Sequence, residues 1–231
     1  MPLVVKNLII INALFFLARY TLASTLKIDL NSVLGLYYYN SPEFNPYQLI
    51  SYMFMHGGFS HIFFNMFALW MFGTQIENLW GPKRFLNYYL ITGFGAAFLH
   101  YLIIHFQISG LESYFTSNQI SEIVNSGAFN PSSPLFSKAR MLYGLHHTPV
   151  VGASGAVFGL LLAYGMTYPN QIIYLNLLFP IKAKYFVIIY GLLEFFMGVQ
   201  NGAGDNVAHF AHIGGMLFGF LLIKYWKKND M

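Results

Sequence analysis

"VVGASGAVFGLLLAYGMTY", Val150–Tyr168, contains no charged residue. About 20 helical residues cross the hydrocarbon core of a bilayer, so a run of this length and character predicts a membrane-spanning helix. It is continuous rather than alternating in polarity, unlike a strand of a membrane barrel. Near its start stands Ser154, a hydroxyl among glycines and apolar side chains. That hydroxyl needs a partner, and finding one requires the rest of the chain.

Five further apolar runs resemble it: Asn7–Leu26, Ser60–Ile76, Phe85–His105, Tyr185–Val199 and Val207–Trp226. Of the 231 residues, 56% are hydrophobic and only 9% charged, whereas soluble domains carry roughly 25% charged residues. Such a chain cannot clothe itself in polar surface, so its main solvent is a lipid bilayer. The expected fold class is an all-α membrane protein, a single domain over 1–231 with spans at 7–26, 60–76, 85–105, 150–168, 185–199 and 207–226. The first run lacks a small-residue cleavage site soon after it and reads as a retained span. The formal charge of +4 is spread along the chain without a basic cluster, so no nucleic-acid partner is expected. The absence of cysteine excludes disulfides.

Lysine and arginine set the orientation. With the N-terminus cytoplasmic, Lys6, Lys83, Arg84, Lys182, Lys184, Lys224, Lys227 and Lys228 lie inside. Lys27, Lys138 and Arg140 lie outside, and Arg19 falls within the first span. The bias predicts that both termini are cytoplasmic, and it brings Trp80 and Trp226 to the inner interface, where amphipathic rings prefer to sit. The outer loops are then 27–59 and 106–149. The first is aromatic and turn-rich and is expected to lie partly in the interface. In the second, Asn130–Pro134 ("NPSSP") breaks any helix, and the pattern in Leu111–Val124 suggests a surface helix.

With this topology, Ser154 lies about one turn into the fourth span from outside. His209 and His212 occupy the first two turns of the sixth, and His61 opens the second with Asn65 one turn deeper. At about 1.5 Å per residue, all five fall within roughly 10 Å of depth. Each has an ordinary explanation when taken singly. An intramembrane serine bonds to the carbonyl one turn back, histidines cap or snorkel, and an i, i+4 His–Asn pair bonds within its helix. Gly155/Gly159 and Gly215/Gly219 read as small-residue packing. The coincidence of depth across three helices argues for more. His212, Gly215 and Gly219 share an arc of about 60°, with His209 at its edge. Phe158, one turn below Ser154, is placed to flank an imidazole.

Serine becomes a nucleophile when a base takes its proton, and histidine titrates in the right range. The oxyanion that follows needs fixed donors. Candidates are the backbone N–H of Ser154, the His61 ring and the Asn65 amide. Glycines around the serine, Gly152 among them, let a substrate backbone approach. "GASG" is not the G-x-S-x-G elbow, because Ala156 occupies its last position. No aspartate lies within a span to orient a histidine, and Asp205 precedes the sixth span, so a serine–histidine dyad is the economical reading.

Three ordered segments, "PYQLISYMFMHGGFSHIFFN" (Pro46–Asn65), "GASG" (Gly152–Gly155) and "AHIGGMLFG" (Ala211–Gly219), resemble the rhomboid intramembrane serine proteases. The resemblance covers the chain from about Pro46 onward. It implies a six-transmembrane-helix rhomboid bundle with a water-filled cavity opening outward, in a bacterial inner (plasma) membrane. It implies Ser154 as nucleophile and His212 as general base, preferred to His209 because glycines follow it by three and seven positions. His61 and Asn65 resemble the oxyanion-hole side chains, His56 the further upstream histidine, and Glu77 and Gly81 the structural acid and glycine at the inner end of the second span. No cofactor or metal is implied, and the partners are transmembrane protein substrates and the lipid around them. Phe158 departs from the tyrosine of well-known bacterial members, and the 107–148 connection is longer than in compact ones.

Other readings are weaker. A metal site built from His209, His212, His56 and His61 lacks H-E-x-x-H, and no carboxylate is expected in the cluster. A catalytically inactive rhomboid-like binding protein would typically lack the serine or the histidine. A proton-coupled transporter would use Glu194 and Arg19 as intramembrane charges, but the spans show no paired broken helices.

Overall fold

A computed structural model describes residues 1–175, 179–200 and 208–229. The described residues are mostly helical. α1 (Leu3–Thr25) leads through two short helices, α2 (Leu30–Leu34) and α3 (Gln48–Ser51), to α4 (Phe59–Ala68). α4 runs through a π turn, Leu69–Gly73, into α5 (Thr74–Trp80). α6 (Pro82–Glu112), α7 (Ser117–Ser126), α8 (Phe136–His147) and α9 (Ser154–Thr167) follow. A two-stranded antiparallel sheet, β1 (Ile172–Leu175) and β2 (Phe179–Lys182), precedes α10 (Ala183–Gln200) and α11 (His209–Asn229).

α1, α6 and α10 are each long and apolar enough to cross a membrane, and α9 is apolar but shorter. α9 is buried around its circumference, from Gly155 and Ala156 to Leu160, Leu161, Ala163 and Gly165, as a central helix must be. α6 and α11 pack against it most extensively. α1 and α10 lie outside and expose Leu14, Leu17, Ile188, Phe195 and Phe196. Side chains like these are tolerable outward only against lipid, and the molecule is a multi-pass integral membrane protein.

Polar anchors fix the bundle. Tyr88 Oη donates to the Gly159 carbonyl at 2.8 Å, and Tyr52 Oη donates to Gly93 at 2.8 Å. Glu77 receives the N–H groups of Val4 and Val5 at 2.9 and 2.8 Å. It thereby caps the free donors at the start of α1 with a negative charge. Gly81 turns the chain between α5 and α6 at φ 78°, a conformation that favours glycine.

Several expectations need correction. α9, the helix of the expected fourth span, begins at Ser154, not Val150. Val150 exchanges two backbone hydrogen bonds of 2.9 Å with Leu36, and Gly152 N–H donates to Tyr52 at 2.9 Å. These bonds hold the approach to α9 extended, so Ser154 is its first residue rather than one turn in. The fold is not wholly α-helical, because the β-prone Ile172–Tyr174 segment pairs with Phe179–Lys182. α6, the helix of the expected third span, runs to Glu112, beyond the expected 105. The 106–149 loop is largely structured: α7 has a Thr116/Gln119 capping box. α7 and α8 pack Ile123, Ala139 and Leu142 against Ile104, Ile108 and Tyr38. Asn130–Pro134 does separate the two helices. Arg19 is no isolated intramembrane charge. It pairs with Asp29 at 3.3 Å and donates to the His56 and Gly57 carbonyls at 2.9 and 3.0 Å. Asp205 and the expected start of the sixth span at Val207 lie outside the described residues.

Candidate active site

Ser154 stands at the N-terminus of α9, where no preceding helical turn offers its N–H a carbonyl. Its Oγ lies 2.8 Å from Nε2 of His212 on α11. Ser154 is half-buried, whereas His212 is buried beneath it. Phe158, one turn along α9, stacks on the His212 ring with centroids 4.2 Å apart and planes 6° apart. The stack fixes the imidazole plane, and the hydroxyl fixes its edge.

α11 approaches α9 closely enough for this contact because it is bare at Gly215, while Gly155 and Gly219 let α6 pack close against both helices. A Cβ on Gly215 would fall 1.9 Å from the Gly155 carbonyl oxygen. One on Gly155 would meet Ala96, and one on Gly219 would meet the Tyr88 hydroxyl. Gly152 adopts φ 132°, and a Cβ there would sit 2.8 Å from His61 Nε2 and 3.4 Å from Ser154 Oγ. His61 Nε2 therefore faces the same small space as the serine. Its Nδ1 lies 3.3 Å from the Gly57 N–H. A backbone N–H can only donate, so in neutral His61 the proton sits on Nε2, which faces the site as a donor.

Asn65 is differently engaged. Its amide nitrogen donates to the His61 carbonyl at 3.0 Å, within its own helix, and its second N–H hydrogen remains as a further donor. His56 is fully buried in the connection before α4, edge-on to His61 with centroids 5.1 Å apart. Burial, reinforced by the neighbouring His61, pushes its pKa down to about 4.

The residue that the sequence reading left out of the site is Glu194. Its Oε2 lies 2.8 Å from Nδ1 of His212 and 2.6 Å from Nδ1 of His209. The expectation that no carboxylate joins the histidine cluster is therefore wrong. Only the rotation of α10 about its axis, which the sequence does not state, separates a lipid-facing Glu194 from this one. Nor do His56 and His61 complete a set with His209 and His212: among the described residues, the group close enough to share an ion is Glu194, His209 and His212. Ligands of a tetrahedral zinc at 2.0–2.1 Å stand about 3.3 Å apart. The 2.6 and 2.8 Å separations are those of hydrogen bonds instead.

Comparison with known proteins bears on this arrangement. The family model described as the rhomboid domain matches residues 43–228. The chain belongs to the rhomboid family. It is 31% identical to RHOMBOID-like protein 4 of Arabidopsis thaliana over 76% of this chain and 33% of that protein. It is 28% identical to rhomboid protease GluP of Bacillus subtilis (strain 168), over 75% of this chain and 25% of that one. It is also 28% identical to rhomboid protease AarA of Providencia stuartii, over 74% and 52%. The chain thus spans between a quarter and about half the length of these relatives. The rhomboid match includes α3 to α11, and so every residue of the constellation above.

Proposed function

We propose that this rhomboid is an intramembrane serine endopeptidase, a single six-span unit over 1–231 with both termini cytoplasmic and the site opening to the outer side. α1, α4–α5, α6, α9, α10 and α11 are the six spans in this reading. The observation that carries it is the 2.8 Å contact between Ser154 Oγ and His212 Nε2, made by residues 58 apart in sequence. A polar pair of this kind inside a bundle is costly to keep unless it is used.

In the mechanism, Ser154 attacks a peptide carbonyl of a transmembrane substrate while its proton passes to His212 Nε2. Negative charge develops on the carbonyl oxygen, and the Ser154 N–H, His61 Nε2–H and the Asn65 amide stabilise it. His212 then protonates the leaving amine. Water enters from the outer side, loses its proton to His212 and resolves the acyl-enzyme. A helical substrate hides its carbonyls in i to i−4 bonds, so it must unwind locally. Unwinding is easiest near the outer end of a span and at glycine, proline or polar residues. The narrow space between Gly152, His61 and Ser154 favours a small residue, such as alanine, before the cut.

A serine-reactive fluorophosphonate tests the assignment: wild type is labelled and Ser154→Ala is not, whereas equal labelling would remove Ser154 from the chemistry. His212→Ala abolishes cleavage of a tagged transmembrane substrate, while folded His209→Ala retains measurable activity. The reverse pattern would make His209 the base.

A further inference from the structure

Glu194 is an acid in an otherwise lipid-facing helix. The inward stripe of α10 comprises Ala183, Val187 and Glu194, with Gly191 and Gly198 beside them. A Cβ on Gly191 would meet Met216 at 3.2 Å, and one on Gly198 would meet Phe210 and His209 at 2.9 and 3.1 Å. The two glycines let α10 lie close against α11 on either side of the carboxylate. They bring it within hydrogen-bond reach of two histidines one turn apart. An unpaired carboxylate here is among the most expensive groups a bilayer protein can hold.

Resting on the protease reading, we propose that Glu194 is a positioning residue: its carboxylate fixes His212 in the tautomer that accepts the Ser154 proton, with His209 holding the same carboxylate oxygen. An ionised carboxylate offers only acceptors, so each imidazole must present Nδ1–H to Oε2. With its proton on Nδ1, neutral His212 has its lone pair on Nε2, directed at Ser154 Oγ. When Ser154 attacks, its proton moves to Nε2, and the resulting imidazolium lies 2.8 Å from a fixed negative charge. Glu194 gains no proton at any stage. His209 supplies a second donor at 2.6 Å, which holds the carboxylate oxygen in place. The arrangement is a serine–histidine–glutamate relay in which the acid reaches in from a separate span. An acid in this relation to a catalytic histidine accounts for large factors in kcat in soluble serine proteases.

Among the described residues, the groups around His212 that carry or exchange protons include Ser154 on α9, His61 on α4, His100 on α6, His209 on α11 and Glu194 on α10. The experiment measures kcat and KM against pH for wild type, Glu194→Gln and Glu194→Leu in detergent micelles, together with the rate of fluorophosphonate labelling. Glu194→Gln keeps the shape and an acceptor oxygen but loses the charge. It should lower kcat and the labelling rate at least about tenfold at nearly constant KM. Removing the charge also makes the imidazolium harder to form, so the acid limb of kcat should move to lower pH. Glu194→Leu should be slower still, and the near-isosteric glutamine carries the test if leucine does not fold. Wild-type kcat and an unmoved acid limb in Glu194→Gln would overturn the proposal, as would a loss confined to KM. Failure of the wild type itself to label would instead overturn the protease reading.

Discussion

Gly215 of α11 lies directly against the carbonyl of Gly155 on α9, so close that a methyl group in its place would sit 1.9 Å from that oxygen. The crossing point is one turn from His212 on one helix and one residue from Ser154 on the other. Separation of the helices here therefore lengthens the Ser154–His212 contact directly. Gly215→Ala should cost about 1–3 kcal/mol of stability, as overpacking does, and should abolish most of the cleavage that remains in the folded fraction. Gly110→Ala is the control, since a Cβ there meets nothing within 4 Å. Thermal unfolding in detergent and cleavage of a tagged substrate report both effects. Wild-type activity in Gly215→Ala would show that the crossing does not set the contact.

Glu77 joins α5 to the first turn of α1 through two backbone N–H groups at 2.9 and 2.8 Å. It is buried, so its loss strands both donors. Bonds to a charged acceptor contribute about 1.5–3 kcal/mol each, and a carboxylate at a helix N-terminus gains from the dipole as well. Glu77→Ala should lower the unfolding midpoint markedly, by about 2–4 kcal/mol in stability terms. Activity per folded molecule should hardly change, because the cap lies at the end of the bundle away from Ser154. Comparable midpoints for Glu77→Ala and wild type would contradict the cap.

What the sequence reveals follows from which interactions are local. The glycine spacing after His212 and the run after Ser154 are periodic signals along single helices, and they locate α9 and α11 to within a few residues. Depth brings Ser154 level with both histidines, and it is legible because helix rise is constant; the glycine spacing and the rhomboid resemblance single out His212. Rotation about a helix axis is less legible when most faces are apolar. In α10 the lipid-facing and inward stripes look alike, so Glu194 carried no sign of its partners. The start of α9 was misplaced for a related reason: only a tertiary bridge to Leu36 keeps Val150 extended. α8 was missed because its apolar face is needed only by the small cluster with Tyr38 and Ile108.

His56 predicts a pH dependence of stability. Its pKa is held at about 4 in the folded protein, below an ordinary value of 6.5, by burial and by His61. The unfolded chain therefore binds more protons between these values, and stability rises with pH across that window. The contribution is fully present above about pH 6.5 and is lost as pH falls toward 4, with a total on the order of 3 kcal/mol. His56→Asn should be less stable at neutral pH but should show a shallower fall on acidification. Unfolding midpoints of the two proteins from pH 7.5 to 4.5 test this. Parallel curves would mean that another group carries the acid sensitivity.

The final expectation concerns the oxyanion donors, which the geometry makes unequal. His61 turns Nε2 toward the space beside Gly152 and Ser154 and is held by the Gly57 N–H at 3.3 Å. Asn65 spends one amide hydrogen on the His61 carbonyl, so it both supplies a donor and steadies the turn that carries His61. Loss of one such donor typically costs about 2.7–4 kcal/mol of barrier, less where neighbours compensate. His61→Ala and Asn65→Ala should each lower kcat roughly 10–1000-fold with little change in KM. The double variant should fall short of the product of the two, because residues that act together are not additive. Gly152→Ala should resemble His61→Ala, since its Cβ would displace the ring that lies 2.8 Å away and its backbone sits at φ 132°. The Ser154–His212 pair remains in all four variants, so slow fluorophosphonate labelling should persist in each. Wild-type kcat in both single variants and in the double would remove His61 and Asn65 from the mechanism and leave the Ser154 N–H as the remaining donor proposed here.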